Sequence, residues 1–252
     1  MFFTSSSMTG GTLPMLPVTS PQLSPSGWLR VALVAALAGV VLALPFQLTL
    51  GERALDRAVA AEHASTHGAG VAELFSRTEQ RGGLVTGQLL IGLGVAFALA
   101  GAAFVLAGRR GAPHTTVWVR VTVGAAWAVA IVPAVLLPPL PPGVESELAL
   151  GTRQALYAAA IALGVVTYAC ATTLLAARGT GWRGVSAACF PLALGLIAAA
   201  VLFPDQGGSG ALAAAELEEF RFVSLAGQLL FWGGMAIAGF AVLRPVRMRS
   251  AV

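Results

Sequence analysis

Lysine is absent from this 252-residue chain, and charge of either sign is scarce: Asp, Glu, Lys and Arg together make up 10%. A soluble globular domain carries about 25% charged residues, so the composition excludes one. Two cysteines are too few for a disulfide-stapled secreted domain. The phosphate-cradling GxxxxGK[ST] loop, HExxH, GxSxG and CxxC are all missing, so the commonest hydrolytic and redox chemistries lack their residues. A non-enzyme is expected. What the chain has instead is 57% apolar residues, 30 Gly and a mean hydropathy of +0.82. Its net charge of +4 comes from 15 basic residues, all Arg. They punctuate apolar runs rather than forming a basic stripe, so no nucleic-acid partner is expected.

The gaps between charges locate the spans. Uncharged runs separate Arg30 from Glu52, Arg81 from Arg109, Arg120 from Glu145, Arg153 from Arg178, Arg183 from Asp205, and Arg221 from Arg244. Each run is rich in Ala, Leu, Val, Gly and Phe, and roughly 20 such residues cross the hydrocarbon core as a helix. Only helix satisfies the backbone of a single span in lipid. The expected fold is therefore an all-α integral membrane protein with six transmembrane helices, near 29–50, 84–107, 117–138, 154–177, 184–204 and 223–243, with the bilayer as its solvent. Residues 1–27, without charge and rich in Ser, Thr, Pro and Gly, read as a disordered cytoplasmic tail. Residues 28–243 form the transmembrane domain and 244–252 a basic cytoplasmic tail. A cleaved signal peptide is the rival reading of 28–50; the long neutral leader and full-length apolar run argue against it.

Charge sign orients the spans. One side carries Arg30, Arg109, Arg110, Arg120, Arg178, Arg183, Arg244, Arg247 and Arg249 and no acid. All 11 acids lie in the three loops of the other side. Counting Arg by the positive-inside rule places both termini in the cytoplasm of a cell (plasma) membrane protein. The spans then group as three hairpins, each with an acidic outer loop. The second and sixth spans share a pattern, Arg81 before Gly87-Gln88-Leu89-Leu90 and Arg221 before Gly227-Gln228-Leu229-Leu230. Internal repeats of this kind build central sites in transporters; coincidence in a Gly- and Leu-rich chain is the alternative.

No span contains Asp, Glu or His. Proton-coupled carriers and membrane haem proteins normally need such groups within the bilayer. The spans offer amides: Gln47, Gln88 and Gln228 sit just inside the predicted outer boundary, with Gln154 at it. They suit a pathway-lining vestibule of carbonyl oxygens, or equally interhelical hydrogen bonds of about 1 kcal/mol each. In the first outer loop a helix from Gly51 would place His63 and His67 four apart, with Asp56 seven before His63 on nearly the same face. Imidazoles plus a carboxylate suit a borderline divalent metal, although a His ahead of a Gly stop also favours a helix C-terminus. Ser76-Arg77-Thr78-Glu79 fits a capping box. Cys170 and Cys189 could form a soft ligand pair or simply pack.

Several blocks resemble one family in order and spacing: Gly51-Glu52-Arg53-Ala54-Leu55-Asp56-Arg57-Ala58 through Glu62; Ser76-Arg77 with Gln80, Gly82 and Gly83; Pro141-Pro142-Gly143-Val144 followed by Thr152-Arg153-Gln154-Ala155-Leu156-Tyr157; and Phe220-Arg221, Ser224-Leu225, Gln228 and Trp232. Together they resemble the CbtA family, described as probable cobalt transporter subunits. That resemblance implies a permease subunit for a divalent transition metal, cobalt first, with no permanently bound cofactor. It also implies a small single-span, His-bearing CbtB-like partner. The family's first loop is often His-rich, where this chain has His63 and His67. Leu136-Leu137 replaces the family's Lys-Tyr, and the family is usually described with five spans. Membrane potential is a sufficient drive for uptake on this reading. The alternative is a non-transporting scaffold subunit that stabilises or positions the small metal-binding partner.

Overall fold

The computed structural model describes residues 23–65, 76–110, 112–141, 144–204, 209–210 and 213–249. Six helical spans run through them, each long and apolar enough to cross a bilayer, as the charge gaps require. The first begins as α1 (Pro25–Phe46), passes through a π-helical turn at Gln47–Gly51 and continues as α2 (Glu52–Ser65). The Ser24 hydroxyl accepts from the Gly27 N–H at 3.2 Å, and Pro25 fills a first-turn position where no N–H is needed. The helix thus opens a few residues ahead of the boundary expected at 28. Residues 1–22 of the expected tail lie outside the described residues.

The second span is α3 (Arg77–Arg110). The third comprises α4 (His114–Ala125), a π-helical segment Ala126–Ile131 and α5 (Val132–Leu136). The fourth is α6 (Leu150–Arg178), the fifth α7 (Trp182–Leu202) and the sixth α8 (Ala214–Arg249), which carries helix into the expected basic tail. His114, expected in a loop, opens α4; its Nε2 accepts from the Leu23 N–H at 3.3 Å. A two-residue antiparallel pair, β1 (Val144–Glu145) with β2 (Ser209–Gly210), ties the second acidic loop to the third. The capping box at the head of α3 closes both ways. The Glu79 carboxylate accepts from the Ser76 N–H at 2.7 Å, and the Glu79 N–H donates to the Ser76 hydroxyl at 3.3 Å.

Packing divides the helices into two groups. α1 lies along both α3 and α8, and α4 closes against α3 and α8. Small residues allow the approach: a Cβ on Gly39 would lie 2.9 Å from the Phe231 carbonyl oxygen, and one on Gly234 2.8 Å from that of Ala38. Val31, Ala35, Trp118 and Met235 are fully buried in this larger core. α6 and α7 pair with each other, and a smaller core forms around Val132, Leu136, Leu137 and Ala160 where the third span meets them. The third span bridges the groups, α4 against the first and the π-helical segment with α5 against the second. The fifth span therefore rests on the fourth, and the sixth on the first.

Aromatic donors stitch these contacts, each beside a glycine on a packed helix or a hydroxyl. Trp118 Nε1 donates to the Ala236 carbonyl at 3.3 Å, with its ring seated where Gly239 has no side chain. Tyr168 Oη donates to the Arg120 carbonyl at 2.7 Å, its ring against Gly124. Trp127 Nε1 donates to Thr167 Oγ1 at 3.0 Å, and Thr167 packs on Gly195. In lipid, such small-residue contacts replace the missing hydrophobic drive between helices. Leu37, Val41, Ile197 and Val201 face outward, where hydrocarbon solvates them.

Candidate functional site

An open cavity of about 800 Å³ lies between the two helix groups, in the half nearer the acidic loops. Its walls follow helical periodicity. α6 contributes Leu150, Arg153, Gln154 and Tyr157; α8 contributes Ser224, Leu225, Gln228, Phe231 and Trp232. Both sets are spaced three or four residues apart, so each forms one face of its helix. α3 adds Ile91 and Val95. The third span adds Val129, Ala130, Pro133 and Ala134, and the Leu137-Pro138-Pro139 turn closes that end. The volume falls in the range of small-molecule sites, about 300–1,000 Å³.

Proline shapes one wall. Pro133 has no N–H, so it cannot bond the Val129 carbonyl four residues earlier. The Tyr157 hydroxyl donates to that carbonyl at 3.4 Å from across the cavity. This fixes α6 against the third span and holds the phenol at the cavity wall. The π-helical segment just before it, Ala126–Ile131, bonds the Val132 N–H to the Trp127 carbonyl five residues back. Interruptions of this type recur at functional sites.

The amides read from sequence take different places. Gln228 and Gln154 line the cavity. Gln47 stands in the first π-helical turn and packs on α8, where a Cβ on Gly227 would lie 3.4 Å from its Nε2; its Oε1 is buried without a hydrogen-bond partner. That acceptor sits one residue along α8 from Gln228. Gln88 is half-buried on α3, one turn before Ile91 and outside the lining. The candidate metal residues lie elsewhere. Asp56 is exposed on α2, His63 is two turns further along the same helix, and the His63 side chain and all of His67 lie outside the described residues. Among the described residues no three His, Cys, Asp or Glu side chains converge on a metal position. Cys170 and Cys189 are free and exposed.

Ion pairs ring this side of the molecule. Arg81 grips Glu52 through two guanidinium nitrogens, Nε to Oε1 at 2.9 Å and Nη2 to Oε2 at 2.7 Å, so the head of α3 is tied to the start of α2. Arg57 on α2 pairs with Glu219 on α8, and Arg221 pairs with Glu218 at 2.7 Å. The Arg57–Glu219 pair ties α2 to the first turns of α8, and the Arg221–Glu218 pair lies within α8. Arg153 is half-buried, faces the cavity and makes no ion pair among the described residues. In the sequence Arg153 marks a helix start, and it stands with Tyr157, Ser224 and Trp232 only in the blocks that carry the family resemblance, none of them with a site role. The polar residues recurring at helical spacing on two spans were the available signal.

No curated protein and no solved structure matches this chain. Residues 27–244, nearly the whole described membrane region, match the model of a family described as probable cobalt transporter subunit (CbtA). The chain belongs to the CbtA family.

Proposed function

We propose that this chain is a plasma-membrane permease subunit, not an enzyme, that takes up a divalent transition metal, cobalt in first place, down the membrane potential. The observation that carries the reading is the open cavity between the helix groups, on the side where all the acids lie and where short Arg-rich loops are absent. With the basic side cytoplasmic, the cavity opens outward. The acidic loops raise the local concentration of cations, Asp56, His63 and His67 offer a transient first contact, and Gln228 in the cavity wall supplies a neutral oxygen further in. A dication gains about 4.6 kcal/mol per 100 mV, taking ~2.3 for each charge. That supports roughly thousandfold accumulation with no ATP motif and no buried proton carrier.

The test is radiolabelled cobalt uptake into cells expressing the chain, alone and with a small single-span His-bearing partner. Uptake that requires the protein and disappears when the potential is collapsed is the expected result. Uptake at limiting cobalt unchanged in His63→Ala/His67→Ala would remove that pair from the mechanism.

A second reading has its own observation. On α3, Gly87, Gly94, Gly101 and Gly108 recur every seven residues, and a Cβ on any of them would meet nothing within 4 Å. Such a row is a shallow groove that admits a neighbouring helix. It suits a scaffold that positions the partner span without moving metal itself. Correct insertion, partner binding and no uptake in either combination would favour that reading.

A further inference from the structure

Acids lie in the loops on this side of the molecule, yet among the described residues none lines the cavity. Among the described residues lining it there is no Asp, Glu, His or Cys, and the single formal charge is Arg153. Three other arginines on the same side are paired, Arg57 with Glu219, Arg81 with Glu52 and Arg221 with Glu218, while Arg53 is exposed on α2. Arg153 has no such acid among the described residues, and it is half-buried at the mouth rather than spread over the surface. The positive end of α6 lies at the same mouth. Gln154, Ser224 and Gln228 add neutral donors around it, while Val95, Pro133 and Phe231 make the rest of the wall apolar.

An unpaired guanidinium in an apolar-walled cavity selects its complement. We propose that the cavity is a binding site for an oxyanion carried on an apolar body, with the carboxylate or phosphate forked on Arg153 and the body against the α3, α5 and α8 walls. A guanidinium offers two parallel N–H donors to such a group, and a bare dication finds no anionic ligand there. The ligand is either a soluble organic acid or the headgroup of an anionic phospholipid entering sideways. If the chain is the permease proposed above, the bound anion also supplies the charge that lets a dication share the cavity with Arg153.

The site is tested without metal. Isophthalate is titrated calorimetrically into the purified full-length chain in a neutral detergent. In parallel, phosphatidylglycerol retention is read by native mass spectrometry from nanodiscs of phosphatidylglycerol and phosphatidylcholine. Binding in the first arm identifies a soluble acid as the ligand source, and selective retention in the second identifies a lipid. In either arm Arg153→Gln is expected to weaken binding about 10- to 100-fold, the scale of a hydrogen bond to a charged group, and Arg153→Lys to restore part of it. Arg53→Gln, an exposed arginine outside the cavity, leaves it unchanged. Ser224→Phe, which fills the cavity and keeps the charge, is a second route should Arg153→Gln not insert; it is expected to block the ligand. Binding in neither arm, or binding indifferent to both Arg153→Gln and Ser224→Phe, overturns the site. Cobalt uptake is scored separately: anion binding without uptake refutes only the permease reading, and uptake without Arg153-dependent anion binding refutes only this site.

Discussion

Replacing Gly39 by Ala adds one methyl group at the closest approach of α1 and α8, and the structure fixes what it meets. The new Cβ would lie 2.8 Å from Met235 Cγ and 2.9 Å from the Phe231 carbonyl oxygen. Met235 is a flexible side chain, but it is fully buried and has nowhere to go. The carbonyl belongs to helix backbone and moves only if the two helices separate by a few tenths of an ångström. Overpacking of this kind costs about 1–3 kcal/mol, and the loss spreads along the seam, because the neighbouring Ala38 carbonyl is approached just as closely by Gly234, where a Cβ would lie 2.8 Å from it. The comparison is Gly101→Ala on α3, where a Cβ meets nothing within 4 Å. There the only change is helix preference, which in water favours Ala by about 1 kcal/mol. Steric-trapping or thermal unfolding in detergent micelles should therefore separate the two variants by a clear drop for Gly39→Ala and none for Gly101→Ala. Equal stability of the pair would refute the reasoning that glycine closeness, rather than general apolarity, joins α1 to α8.

Two further outcomes follow from local geometry. Ser76→Ala removes the cap of α3 and should cost about 0.5–2 kcal/mol, seen as faster amide exchange confined to the first turn from Arg77 while the rest of the span is unaffected. Thr167→Val keeps the shape but leaves Trp127 Nε1 without its acceptor; about 0.6–1.7 kcal/mol of stability should be lost, with a Trp fluorescence shift that Thr173→Val, whose hydroxyl bonds only its own helix, does not produce.

Composition made the spans legible. Hydrocarbon tolerates charge so poorly that Arg and acidic residues mark the helix ends almost by themselves, and the Ser76–Glu79 box was readable because capping is local chemistry. Helix pairing was not readable. α1, α7 and the middle of α8 carry apolar residues on every side, so the faces toward lipid and toward protein look alike in composition. The contacts are chosen by where glycine admits a neighbour, as at Gly39, Gly234 and Gly239. The cavity was half readable. Gln154 and Gln228 stood out as amides in apolar runs, whereas Arg153 passed as an end marker because an arginine at a helix end needs no explanation. Gln47 was found, but its role against Gly227 depends on a π-helical turn that no residue pattern announces.

The π-helical segment at Ala126–Ile131 gives the third span two counting frames. A regular helix advances about 100° per residue, and the five-residue hydrogen bond from Val132 to Trp127 takes up an extra residue without extending that count. Residues before it, such as Trp118, are phased toward α8; residues after it, such as Pro133 and Leu137, are phased toward α6 and the cavity. Deleting one residue of the segment would let it close as regular α-helix while Trp118 before it and Pro133 after it keep their faces, because the extra residue never advanced the count. The segment thus tolerates the loss of one residue, which the regular helical turns on either side of it do not.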